Sequence, residues 1–118
     1  MNKKLGRYVR LNRRAAGLTE GELAYLIGHE NGAVISRLES GGRPPTLRQC
    51  LALAVIFGVD VAELFPTLFT EVEAEVVRLA YELHQRLQGD PSGTTKAKLD
   101  LLERTIKQAT KRRPKQRP

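Results

Sequence analysis

The sequence has almost none of the residues on which disulfide, metal and cofactor chemistry depends. Its 118 residues include one Cys, two His and no Trp, and aromatic residues make up only 5%. A single Cys cannot form an internal disulfide, and a structural zinc site takes about four ligands. We therefore expect no disulfide, no bound metal and no cofactor.

Long apolar runs and catalytic arrangements are missing as well. No apolar segment reaches the roughly 20 residues that cross a bilayer, and the start of the chain has no continuous apolar stretch typical of a secretory signal. No nucleophile stands beside a suitably spaced base, and there is no glycine-rich phosphate loop. These absences predict a cytoplasmic protein that is not an enzyme and does not bind membranes.

Positive charge is abundant and unevenly distributed. The net charge is +7, with 20 Lys and Arg against 13 Asp and Glu. Residues 1–66 and 107–118 are basic, whereas residues 67–106 are mildly acidic. A basic excess of this size attracts polyanions, most commonly nucleic acid. The middle segment is therefore the part least suited to contact phosphates.

Apolar residues recur at helical spacing in residues 1–66, where we predict five short helices. The first runs from about Lys3 to Ala16. The second and fourth follow Thr19 and Thr46, and each Thr precedes a Glu or Gln by three residues, which is the capping-box pattern. Asn31 is predicted to cap the third helix, which ends at about Ser40.

The end of this segment is expected to be its most buried part. The fourth helix, ending before Gly58, is apolar on nearly all sides, which predicts that it forms the centre of the core. Asp60 and Glu63 predict a capping box for a brief fifth helix, closed by Pro66. Residues 1–66 are thus expected to form one all-α domain.

Residues 67–110 have a different pattern. A long helix from Thr70 and a second one from about Thr95 to Ala109 flank a turn at residues 89–93, which predicts a helical hairpin. The first of these helices carries an apolar stripe, which we interpret as a dimerisation surface: Val72, Val76, Leu79, Leu83 and Leu87. Residues 111–118 contain no apolar residue and are expected to form a basic disordered tail.

Residues 19–39 have the order typical of a DNA-reading pair of helices: a capped helix, a glycine turn and a second short helix. Several segments in sequence strengthen this interpretation: Leu18–Ala24, Ile27–Gly28, Ile35–Glu39, Arg43–Leu47 and Phe57–Phe65. Together they resemble the XRE-type helix-turn-helix family, which includes the phage Cro and repressor proteins. The resemblance covers about residues 5–66 and implies a five-helix, phage-repressor-like DNA-binding domain.

The resemblance also implies roles for single residues. Arg13 and Glu39 are expected to pair and to brace the recognition helix, and Arg43 to meet phosphate. Val34 is either buried or faces a thymine methyl group. The predicted DNA-binding residues are Thr19, Asn31, Gly32, Ala33, Ser36, Arg37 and Arg43.

Two features depart from the common pattern of that family. Glu20 stands where many members carry Gln, and a carboxylate there repels phosphate. The turn between Gly28 and Ile35 is one residue longer than usual, and Gly32, Ala33 and Val34 provide little polar side chain for reading bases.

These patterns predict a sequence-specific regulator of bacterial or phage promoters, associated with the nucleoid. We expect it to be a repressor that binds a near-palindromic operator in double-stranded DNA as a homodimer. One alternative is an antitoxin of the same fold that also binds a toxin, and another is an RNA-binding or structural adaptor. The hairpin could instead pack on the first domain, and the tail either holds DNA or only aids solubility.

Overall fold

Seven α-helices make up all the regular structure in residues 5–115, the part of the chain that the computed structural model describes, with side chains through residue 111. The predicted all-α fold class is therefore confirmed. The helices are α1 (Arg7–Ala15), α2 (Glu20–Leu26), α3 (Ala33–Ser40), α4 (Leu47–Phe57), α5 (Val61–Leu64), α6 (Pro66–Leu87) and α7 (Thr95–Lys115).

The chain divides into two compact units, Met1–Phe69 and Thr70–Pro118. In the first unit, α3 packs against α1 and α2, and α5 packs against α1 and α4. These contacts enclose a single apolar core, so the short helices stabilise one another. The core consists of Leu5, Val9, Leu23, Ala24, Ile27, Ile35, Leu38, Leu53, Leu64 and Phe65.

Both threonine capping boxes are confirmed. Glu22 N donates to Thr19 Oγ1 at 3.0 Å, and Thr19 N donates to Glu22 Oε1 at 2.9 Å. The same reciprocal pair joins Thr46 and Gln49, at 3.1 and 2.9 Å. Each box satisfies backbone N–H groups that have no partner inside the helix, and so fixes where α2 and α4 begin.

The predicted start of the first helix was wrong. Leu5 and Gly6 form a turn, and α1 begins at Arg7; Lys3 lies outside the described residues. A Cβ at Gly6 would collide with the backbone carbonyl of Leu38. The chain therefore enters α1 directly against the end of α3, a tertiary contact that helical periodicity does not report.

The fourth helix is not the buried centre that its composition suggested. Leu53 is its only buried residue, whereas Leu47 is 74% exposed and Val55 is 82% exposed. Leu47, Leu51 and Val55 are spaced by four residues and therefore form one exposed apolar face. An eleven-residue helix that is apolar on nearly all sides does not indicate which side is covered.

The end of the first unit also differs from the prediction. The Asp60 side chain makes no capping hydrogen bond, so the predicted box with Glu63 is absent. Pro66 does not close the unit but is the first residue of α6, which begins four residues before the predicted Thr70. Proline suits a first helical position because its missing N–H would have no partner there.

The second unit contains the predicted hairpin. His84 Nε2 of α6 lies 2.9 Å from Glu103 Oε2 of α7, and Ala80, Thr95 and Ala109 are buried. The last helix runs to Lys115 rather than to Ala109, so residues 111–115 are helical where we predicted a disordered tail. Residues 116–118 of that tail lie outside the described part of the chain.

Candidate nucleic-acid interface

The exposed side of α3 is a narrow polar ridge. Ser36, Arg37 and Ser40 are exposed and lie on one face of the helix. The opposite face carries Ile35 and Leu38, both buried in the core. A helix of this diameter fits the DNA major groove, and only the ridge would then face the base edges.

A close helix crossing holds α3 in place. A Cβ at Gly32 would lie 3.1 Å from the backbone nitrogen of Gly21 in α2, so the two backbones meet where neither residue has a side chain. Asn31 Oδ1 accepts a hydrogen bond from Ala33 N at 2.8 Å, although the residue at the cap position itself is Gly32. The missing side chain at Gly32 therefore allows the backbone at the start of α3 to lie close to the backbone of α2.

An ion pair fixes the other end of α3 to α1. Arg13 Nε lies 2.7 Å from Glu39 Oε2, and Arg13 Nη2 donates to Glu39 Oε1 at 3.1 Å. Arg13 Nη1 also donates to the carbonyl of Leu18 at 2.9 Å. The side chains are only 11% and 5% exposed, and the hydrogen bond to Glu39 raises the pKa of Arg13. This two-bond geometry leaves α3 little freedom to rotate about its axis.

One cleft lies on the Arg37 side of the ridge, and we call it the α4 cleft. Its volume is about 550 Å³, and Arg37, Arg43 and Arg48 all line it with exposed side chains. The predicted residues Asn31 and Ala33 line it as well. Three cations in one concavity form a surface suited to a phosphate backbone.

Sequence reasoning did not place Arg48 or His29 at the interface, nor the capping residues Thr46 and Gln49, although all four line the α4 cleft. His29 Nε2 lies 3.4 Å from Gln49 Nε2, which connects the turn before α3 to the first turn of α4. Arg48 is the second residue of α4, directly after the loop that carries Arg43. That position beside a predicted phosphate-binding loop was the available signal for Arg48, whereas His29 had none.

A second cleft lies on the Ser36 side of the ridge, and we call it the α1 cleft. It has a volume of about 530 Å³, and its lining includes the predicted residues Thr19 and Ser36. Arg10 and Arg14 of α1 and Glu20 of α2 line it too. Apart from Gly32, which lies against α2, the predicted DNA-binding residues therefore divide between two clefts that flank α3.

Val34 is partly covered by the core, and the contact with a thymine methyl group remains a prediction. It is half-buried and packs against the core of the first unit, and it also lines the α4 cleft. The long polar side chains on that side of the ridge are those of Arg37, Arg43 and Arg48.

The predicted dimerisation stripe is mostly exposed in the second unit. Val72, Val76, Leu79 and Leu83 are between 41% and 51% exposed, and Leu87 is half-buried. The exposed members follow a spacing of four, three and four residues, which is the seam pattern of a coiled coil.

Among the described residues, no cluster of three or more His, Cys, Asp or Glu side chains could hold a metal ion. None of their helices combines the length and the apolar character needed to cross a bilayer.

The order of these elements defines a class of protein. A capped α2, a glycine turn and an α3 that presents a polar ridge between basic clefts form a helix-turn-helix. A family model described as a helix-turn-helix domain matches residues 4–65. The chain belongs to this family, which is of the XRE/Cro-like type. No curated protein and no solved structure matches the chain.

Proposed function

We propose that the protein is a transcriptional regulator that binds specific sequences in double-stranded DNA. The observation that carries this proposal is the ridge of Ser36, Arg37 and Ser40 between two clefts that together hold five exposed arginines. The ridge fits the major groove, where base edges distinguish all four base pairs. Arginine on either side suits the two phosphate backbones that border this groove.

We further propose that the protein acts as a homodimer. The ridge has one long side chain, Arg37, and two serines, so one copy reads few bases. A second linked copy meets its half-site at a high effective concentration and so raises the affinity. The exposed stripe from Val72 to Leu83 supports this role, because a coiled-coil seam needs a second helix to cover it.

A dimer with twofold symmetry binds DNA whose sequence has the same symmetry. Two linked helix-turn-helix domains require a near-palindromic operator, with half-sites about one helical turn, or roughly 34 Å, apart. Occupying such a site in a promoter blocks transcription, so we propose repression in the cytoplasm, at the nucleoid. No observation favours the antitoxin alternative.

Selection of duplexes from a random library tests the proposal. We expect the full chain to enrich one near-palindromic sequence, and Arg37→Ala to relax the preference at one position of each half-site, at a cost of about 1–3 kcal/mol. Arg86→Ala, an exposed arginine of the second unit, is the matched control and should enrich the original sequence. Failure to enrich any duplex, or a preference for RNA in competition, would overturn the proposal.

A further inference from the structure

We propose that His29 couples DNA binding to pH. Its neutral ring is held by Gln49 of α4, whereas its protonated ring is released and faces the DNA backbone from the α4 cleft. The proposal rests on the proposed function and deepens it, because it names a condition, the pH, that regulates the affinity. It also gives a role to a residue for which the sequence offered no signal.

The capping box of α4 determines which end of the Gln49 amide faces His29. Gln49 Oε1 accepts a hydrogen bond from Thr46 N at 2.9 Å, so the oxygen is already committed to the start of the helix. The amide nitrogen, Nε2, lies 3.4 Å from His29 Nε2. An amide NH2 group only donates, and a ring nitrogen accepts only when it carries no proton. The contact therefore selects a neutral ring whose proton is on Nδ1.

Protonation of the ring removes this contact. A protonated imidazole has an N–H on both ring nitrogens and accepts no hydrogen bond. The Gln49 amide could offer its oxygen to the ring only by giving up Thr46 N, which would break the capping box. Two donors would then face each other, so the charged ring leaves Gln49. The His29 side chain is exposed in the turn between α2 and α3, so it can move without disturbing the core.

The α4 cleft surrounds His29 with cations from three elements. Arg37 of α3, Arg43 of the loop after it and Arg48 of α4 all line the cleft, and guanidinium groups stay protonated at neutral pH. Among the residues that the structure describes, no Asp or Glu lines this cleft, and the neighbouring Glu30 lies outside the lining. Histidine is the side chain whose charge ordinarily changes between pH 5 and 8. His29 is therefore the described residue through which pH can change the charge of the cleft.

A phosphate in the α4 cleft links proton binding to DNA binding. An anion favours the charged form of a histidine beside it. Because linkage is reciprocal, protonation must strengthen DNA binding by the same factor by which DNA favours protonation. The charged ring also adds one cation to the backbone contacts, which steepens the salt dependence by up to about 0.9 in slope. Phosphates are alike in every sequence, so the preferred sequence should stay the same.

The first arm of the test is duplex titration with the full chain at about pH 8 and about pH 6, at fixed ionic strength. We expect the unaltered chain to bind several-fold more tightly at the lower pH, with a steeper salt slope. His29→Gln stays uncharged and should hold the affinity at its high-pH level, whereas His29→Lys is permanently charged and should hold it near the low-pH level. His84→Gln replaces the one other histidine of the chain and, as the matched control, should keep the pH response.

The second arm follows the histidine rings by NMR. In the free chain at about pH 8, the ring of His29 should carry its proton on Nδ1. With duplex added, His29 should gain its second proton at a higher pH than in the free chain, whereas His84 should titrate alike in both. Circular dichroism and a thermal melt at both pH values verify that each variant is folded.

The outcomes separate this proposal from the proposed function. A proton on Nε2 of the neutral His29 ring, a pH response that survives in His29→Gln, or duplex binding by the unaltered chain that does not change with pH would overturn the role of His29. If the unaltered chain binds no duplex at either pH, the proposed function itself is wrong.

Discussion

The two units of the chain differ in how they bury apolar surface. The first encloses ten buried residues in one core, whereas the buried residues described in the second are Ala80, Thr95 and Ala109. Yet the second carries the longer helices and a row of exposed Val and Leu side chains. A helical hairpin with so small an interior gains little from hydrophobic burial. The contrast supports the proposal that the second unit associates with a second copy, whereas the first unit has an apolar core of its own.

The largest expected effect comes from disrupting that association. Leu79→Asp combined with Leu83→Asp places charges on the exposed stripe and should yield a monomer whose first unit remains folded. Loss of the linked second copy should lower operator affinity by about 10²–10⁴-fold. Sedimentation at micromolar concentration and duplex titration measure the two effects.

Leu101→Asp is the control for this prediction, because Leu101 is an exposed leucine of α7 that lies outside the stripe. It should leave both the sedimentation and the affinity unchanged. An unaltered chain that sediments as a monomer and binds one copy per site would contradict the dimer, and with it the contrast between the units.

The second prediction concerns the ion pair inside the first unit. Glu39→Ala removes both hydrogen bonds that Arg13 makes to the carboxylate and leaves only its bond to the Leu18 carbonyl, so it should lower the free energy of unfolding by about 1–3 kcal/mol. Urea denaturation measures the loss. In a double-mutant cycle with Arg13→Ala, the combined cost should be smaller than the sum of the single costs. Strictly additive costs would show that the contact does not contribute to stability.

The third prediction compares single apolar residues across the two units. Leu53→Ala removes a fully buried side chain and should cost about 2–5 kcal/mol in the melt of the first unit. Val55→Ala, on the exposed face of the same helix, should stay within about 0.5 kcal/mol. Leu83→Ala in the second unit should have a cost that grows with protein concentration, because its partner surface is on another copy. A cost independent of concentration would indicate a complete core within the hairpin.

Local signals in the sequence predicted much of this structure. The capping boxes at Thr19 and Thr46 were correct because a cap depends on residues three apart, which the sequence displays directly. The turn at residues 89–93 and the start of α7 at Thr95 were correct for a similar reason. The ordered segments from Leu18 to Phe65 were enough to place the first unit in its family.

The errors arose where the outcome depends on distant contacts. Helix α1 begins at Arg7, after a turn at Gly6 that packs against the backbone carbonyl of Leu38. Leu38 is far from Gly6 in the sequence, so no local pattern shows this contact. Which face of α4 is buried depends on the helices that pack against it. Because α4 is mostly apolar, its sequence does not show which face that is. Pro66 can close one helix or begin the next, and only the path of the backbone decides.

The crossing of Gly32 over Gly21 has a consequence for redesign. Because the turn and the first residues of α3 are fixed by packing, and Ile35, Leu38 and Glu39 are committed to the interior, three positions remain free to vary without disturbing the scaffold. A library randomised only at Ser36, Arg37 and Ser40 should therefore explore the reading surface of α3 while every member keeps the same framework. Selection from this library should therefore change the preferred DNA sequence and leave the fold of the first unit unchanged.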